Sequence, residues 1–153
     1  MTQTVWGPKV WRLLHLLTAI SDRRDIALLW LSILRATAEV LPCAICRNHM
    51  SAYLRSHVFF RGLKLHLVSA KEIQAQIAKD INDFHNDVNR RLHKKIFTYE
   101  DSAATTVGSR EQLLAEAKSI YEELKLDWKE QKNLIVWTKP MSLMLALLQG
   151  GPN

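Results

Sequence analysis

The sequence predicts an all-α protein: a four-helix bundle with an additional helical extension at its C-terminal end. Three observations carry that reading. Apolar residues recur at steps of three and four along most of the chain, the spacing that lays a stripe down one side of a helix. The alternation of a half-buried strand is nearly absent. Breaking and capping residues punctuate the apolar stretches at Trp6-Gly7-Pro8, Ser21-Asp22, Leu41-Pro42, Ser69 and Lys139-Pro140.

Taken in order, Trp6-Gly7-Pro8 opens the first helix, with proline at an early position where its missing N–H is harmless. Val10, Leu13, Leu14 and Leu17 form its stripe. Ser21-Asp22 is expected to cap a second helix over residues 23–40, whose wide face of Ile26, Leu29, Trp30, Ile33, Leu34 and Thr37 belongs in the core. Leu41-Pro42 breaks that helix, and Pro42 starts a third over 42–56 with both cysteines in its first turn. Residues 57–68 are apolar around Gly62 and read as a buried loop or short strand. A fourth helix over 69–95 begins with a Ser69/Glu72 capping box and carries Ile73, Ile77, Ile81, Phe84, Val88 and Leu92 on one face.

Residues 100–109 are small and polar and read as a linker. A fifth helix over 110–126 follows, with Leu113, Leu114, Ala117, Ile120, Tyr121 and Leu124 on one side. The apolar tail after Lys139-Pro140 is too short to span a bilayer and is expected to dock on this chain or on a partner. Residues 1–100 thus form the bundle. Residues 101–153 form an extension that either joins the same domain or builds a dimer interface.

The composition narrows the function. At 153 residues, 48% hydrophobic and 24% charged, the chain fits one globular domain, which excludes disorder for most of its length. Two cysteines cannot make a disulfide-stapled scaffold. No apolar run is long enough for a membrane span, and the N-terminal MTQTVWGPKVW lacks the apolar core of a signal peptide. A cytoplasmic location away from membranes is the expectation. The net charge of +6 invites a nucleic-acid partner, but the basic residues are scattered. Their densest cluster, Arg90, Arg91, Lys94 and Lys95, suits one anionic ligand instead, and no nucleic acid is expected.

The two cysteines lie as Cys43-Ala44-Ile45-Cys46 just after a proline at a helix start. Residues three apart share a helix face, close enough for a disulfide. Free N–H groups and the helix dipole stabilise a thiolate there, the species that attacks and leaves in disulfide exchange. A redox-active pair fits that setting. Three other readings stay open. Zinc would recruit His49 and His57, but the spacing matches no usual finger. A thioredoxin-like site needs a preceding strand. Two incidental core cysteines remain the plainest option.

A second constellation favours the redox reading. Trp11 and His15 are four apart on one helix, with Trp6 and Gly7 at its mouth. Asn82, His85, Asn86, Asn89 and His93 form a polar stripe that runs into the basic cluster. Amides and imidazoles suit a heterocycle and ribose, and the positive charges suit phosphates. No Gly-rich phosphate loop is present. The pattern reads as a dinucleotide held across helices.

Three linked segments resemble the Erv/ALR family of FAD-linked sulfhydryl oxidases, most like its branch in large cytoplasmic DNA viruses. They are Trp6-Gly7-Pro8-Lys9-Val10-Trp11-Arg12-Leu13-Leu14-His15, Leu41-Pro42-Cys43-Ala44-Ile45-Cys46 with His49, and His85-Asn86-Asp87-Val88-Asn89-Arg90-Arg91-Leu92-His93-Lys94. The resemblance implies FAD at the mouth of the bundle beside a Cys43–Cys46 disulfide and makes both cysteines catalytic. It implies that Cys43 exchanges with substrate thiols and Cys46 passes electrons to the flavin, with oxygen the final acceptor and hydrogen peroxide the product. It assigns cofactor binding to Gly7, Trp11, His15, His49, His85, Asn86, Asn89 and Lys94, and no metal. Within that set, Trp11, His15, His85 and Asn89 fall on the adenine side, Lys94 near the phosphates and His49 on the flavin side. Many members carry a second, shuttle dicysteine that this chain lacks. A thiol protein or a small CxxC shuttle is therefore the expected partner, and a homodimer the expected assembly. The alternative is a non-catalytic helical interaction module that retains the fold.

Overall fold

The structure, a computed structural model, describes residues 3–59 and 68–151. The stretch read as a buried loop or short strand lies, over residues 60–67, outside the described residues. Among the described residues the chain is all-α: α1 (Gln3–Ala19), a 3-10 turn (Arg24–Ile26) leading into α2 (Ala27–Val40), α3 (Ala44–Ser56), α4 (Ala70–Arg91), α5 (Tyr99–Ala104), α6 (Arg110–Asp127) and α7 (Leu134–Gln149).

α1 packs against α4 and α6, α2 against α3 and α7, and α6 against α7. The reason is written in α1. Leu13, Leu14, Leu16 and Leu17 are each at most 1% exposed. Four leucines within five residues cannot share one helical stripe, so α1 must be covered on more than one side. α2 is likewise buried broadly, through Trp30, Ile33, Leu34, Ala36, Ala38 and Val40. Residues of α6 and α7, among them Leu124, Trp137, Met141 and Leu148, join the same hydrophobic cluster as α1 to α4.

Polar pins fix how the helices meet. Buried Trp137 donates from Nε1 to Thr37 Oγ1 at 3.1 Å, and that hydroxyl donates to the Ile33 carbonyl. α1 and α6 are joined by Lys9 with Asp127 at 2.7 Å and by Arg12 with Glu116 at 2.6 Å. Arg110, at the start of α6, pairs with Asp22 at 3.0 Å.

Several boundaries differ from the expected ones. α1 is already helical at Gln3, so Pro8 sits in its second turn, where it removes one backbone hydrogen bond near the helix end. Ser21 does not cap α2. Its buried hydroxyl donates to the Leu17 carbonyl and accepts from Trp30 Nε1 at 2.9 Å, because a buried indole N–H needs an acceptor. The capping box at Ser69/Glu72 forms as expected, but α4 stops at Arg91. His93 turns to φ 56°, and Lys94 N–H donates to Asn89 O while His93 N–H donates to Arg90 O. That is a Schellman closure with histidine where glycine is usual. The expected linker contains α5, started by a Thr98/Asp101 capping box. Pro140 lies inside α7, which docks on this chain through Trp137, Met141, Met144, Leu145 and Leu148.

Candidate functional site

Proline places the cysteines. Pro42 disfavours helical geometry at the preceding residue, and Leu41 accordingly lies at φ −55°, ψ 132°, ending α2. Cys43 follows in extended backbone and becomes the N-cap of α3, with Cys46 in the first turn. The expectation that Pro42 itself starts α3 is corrected by this one-residue cap. Cys43 and Cys46 are joined in a disulfide with Cα atoms 5.2 Å apart. The Cys46 backbone N–H points at Cys43 Sγ, 3.2 Å away. Arg47 donates to the Leu41 carbonyl at 2.6 Å, which fastens the two helix ends together.

The disulfide opens on a crevice with two lobes. The first, about 340 Å³, is walled by Cys43, Cys46, His49 and Met50 from α3 and its cap, Trp6 and Trp11 from α1, and Phe84 from α4. The second, about 890 Å³, is walled by His15, His85, Asn89, Lys94 and Lys95. Gly7, Trp11, Val88 and Leu92 border both lobes. Both volumes fall in the range of cofactor sites, roughly 300–1,000 Å³.

A ring stack lines the join. Trp11 lies flat on His85 with centroids 4.1 Å apart and planes 8° apart, and meets Phe84 edge-on at 5.4 Å. His15 Nε2 and His85 Nδ1 are 2.9 Å apart, so one nitrogen carries the shared proton. Burial lowers both imidazoles to about 4, with Arg12 reinforcing the effect at His15, and His15 and Lys94 reinforcing it at His85. Both rings are therefore neutral at pH 7.

Of the residues picked out in the sequence, Cys43, Cys46, Gly7, Trp11, His15, His49, His85, Asn89 and Lys94 all border the crevice. Asn86 does not. Its amide is spent on the Phe97 backbone, donating to the carbonyl at 2.6 Å and accepting from the N–H at 3.0 Å, which ties the segment after α4 back onto that helix. Asn82 serves the same segment, accepting from Ser102 at 2.5 Å. Arg12 and Lys95 also wall the larger lobe. Lys95 belongs to the basic cluster, whereas Arg12, part of the Trp6–His15 segment, carries no binding role in the sequence reading. Among the described residues no three histidines, cysteines or carboxylates converge as a metal site.

A helical bundle with a disulfide at one lobe of a crevice, and a ring stack with lysines at the other, has the build of a redox protein around a planar anionic cofactor. Residues 8–108 match the Erv1/Alr family model, and the chain belongs to that family of FAD-binding oxidoreductases. Among its relatives are proteins named FAD-linked sulfhydryl oxidase from a Kenyan pig isolate and a Malawian tick isolate of African swine fever virus. Each is 34% identical over 102 residues, covering 63% of this chain and 75% of the relative. Protein 347L of Invertebrate iridescent virus 6 is 28% identical over 95 residues, covering 60% of this chain and 83% of its own. No solved structure matches.

The residues present fit FAD. Among the described residues three buried side-chain N–H groups lack a partner: Trp6 Nε1, Asn89 Nδ2 and Trp128 Nε1. Trp6 borders the disulfide lobe and Asn89 the lysine lobe. An unmet buried donor is costly, and two of the three belong to residues of the crevice wall, which suits a wall that takes up a ligand rich in acceptors.

Proposed function

We propose that this chain is an FAD-linked sulfhydryl oxidase that forms disulfides in protein substrates through Cys43 and Cys46. The observation that carries the reading is the disulfide at the N-terminus of α3, opening on the crevice that holds the Trp11–His85 stack and the unpaired Asn89 amide. A substrate thiolate attacks Cys43 Sγ. The Cys43–Cys46 bond breaks, the mixed disulfide forms at Cys43, and the electron pair leaves on Cys46 as thiolate. A second substrate thiol then attacks the mixed disulfide, releasing oxidised substrate and Cys43 thiolate. The start of α3 favours both leaving groups: the Cys46 N–H faces Cys43 sulfur, and the helix dipole lowers the cost of either thiolate.

FAD, when bound, supplies the two-electron acceptor that restores the disulfide, with oxygen as final acceptor and hydrogen peroxide as product. Trp11, His15 and His85 present neutral rings to a heterocycle, and Asn89 offers its spare N–H. Lys94 faces phosphate, and Gly7 leaves the crevice wall without a side chain. His49 borders the disulfide lobe on the flavin side.

Both cysteines of the chain are in this one pair, which supports delivery of electrons by a second polypeptide, a thiol protein or small CxxC shuttle. Ile45, 68% exposed between the cysteines, offers that partner an apolar contact. Among the described residues no helix is long and apolar enough to cross a membrane. A cytoplasmic site of action and a homodimer complete the reading.

Purified protein is expected to be yellow and to consume oxygen with dithiothreitol. Cys46→Ala is expected to abolish turnover while retaining FAD. Folded, colourless protein that cannot be reconstituted with FAD overturns the assignment.

A further inference from the structure

Arg12 is the arginine of the larger lobe, a charge that neither the ring stack nor the lysines account for. Its guanidinium is gripped from two sides. Nε and Nη2 donate to the two carboxylate oxygens of Glu116 on α6 at 2.6 and 3.0 Å, and Nη1 donates to the Thr105 carbonyl at 2.5 Å. A guanidinium has five N–H groups. The two left over have no acceptor among the described residues. Arg12 and Thr105 both wall the larger lobe, alongside Asn89, Lys94 and Lys95, and among the described residues no carboxylate does so. The arginine's field reaches the lobe interior, since it helps hold His15 neutral.

The pair is half-exposed, and exposed ion pairs contribute little to stability. What a bidentate grip does accomplish is to fix the plane of the fork. Glu116 lies beyond residues 8–108, so the grip comes from outside the segment that matches the family.

We propose that Arg12 is a phosphate-binding residue of the cofactor crevice, oriented by Glu116 as a positioning residue, so that α6 takes part in holding the cofactor. The assignment rests on the FAD reading above. The spare N–H groups leave the arginine two donors for an anion's oxygens, and Lys94 and Lys95 keep the lobe positive after Glu116 neutralises one charge.

The test compares FAD with riboflavin, which has the ring system and no phosphate, by flavin fluorescence titration of the full chain. Arg12→Gln is expected to weaken FAD about 10- to 100-fold, the loss of a charge-assisted hydrogen bond, while riboflavin changes less than about twofold. Glu116→Gln is expected to weaken FAD by a smaller factor, again sparing riboflavin. The swap Arg12→Glu with Glu116→Arg keeps an α1–α6 ion pair and its melting temperature, and is expected to lose FAD selectively. Equal loss of FAD and riboflavin in Arg12→Gln, or no loss of either, overturns the assignment. A folded wild-type chain that binds riboflavin and FAD equally overturns it too, while leaving the flavin reading standing. A chain that binds neither overturns both.

Discussion

Acidification to pH 5 is expected to weaken this protein through two residues, His15 and His85. Both imidazoles are held to about 4 against an ordinary 6.5, chiefly by burial. The folded state therefore resists protons that the unfolded chain accepts. The stability this represents is complete above pH 6.5 and drains away as pH falls toward 4. Between pH 7 and pH 5 each imidazole accounts for about 2 kcal/mol at one pKa unit per 1.36 kcal/mol. Because the rings share one proton across 2.9 Å, the joint loss is about 2–4 kcal/mol, not a strict doubling. The carboxylates with lowered values, Asp25, Asp101 and Glu116, lose their contribution only as pH falls below the ordinary carboxylate range, which leaves this window to the histidines. Urea denaturation followed by far-UV circular dichroism, at pH 7.0 and 5.0 and constant ionic strength, measures the loss. The double variant His15→Gln/His85→Gln is expected to show a flat profile across that interval. A wild-type loss below about 0.5 kcal/mol, or an equal loss in the double variant, refutes the buried-neutral argument.

Leu16→Ala is expected to cost about 2–5 kcal/mol in thermal or urea unfolding, since the residue is wholly buried within α1 and its removal leaves a cavity. Thr37→Val keeps the shape but strands the buried Trp137 N–H, and a loss of about 1–3 kcal/mol is expected in the same assay. Asn89→Leu removes an unpaired amide that is 4% exposed, so FAD-free protein is expected to gain about 1 kcal/mol while FAD affinity falls about tenfold by fluorescence titration. Equal movement of stability and affinity in Asn89→Leu would count against a ligand acceptor at that amide.

The elements that were legible in the sequence are those decided by local chemistry. The Ser69/Glu72 box sets the start of α4 because both partners lie within four residues. Leu41-Pro42 ends α2 because the restriction acts on the adjacent residue. The cysteines and the Trp11/His15 pair were readable for the same reason, being spaced within one turn of helix. What escaped the sequence reading depends on distant partners. Ser21 looks like a cap until Trp30 is brought over it. Asn86 looks like a ligand until Phe97 folds back onto α4 and occupies its amide. Arg12 looks like a surface residue until α6, more than a hundred positions later, delivers Glu116. Pro140 looks like a break, yet α7 carries it within a helix packed along α2.

The C-terminal helices therefore do more than lengthen the chain. The crevice lies between α1, the start of α3 and the end of α4, and its geometry is only as firm as α1. The one disulfide closes a four-residue span and cannot brace helices against one another. α6 braces α1 instead, through buried Leu113, Leu114, Ala117 and Leu124 and through ion pairs of Lys9 with Asp127 and Glu123 and of Arg12 with Glu116, while Arg110 pairs with Asp22 just past the end of α1. α7 completes the arrangement by packing Trp137 against Trp128 and Tyr121 while its indole is held by α2. Apolar burial of this kind does not respond to thiols. On the function proposed above, the Cys43–Cys46 pair is therefore expected to be reduced and reoxidised while the bundle that aims it stays folded.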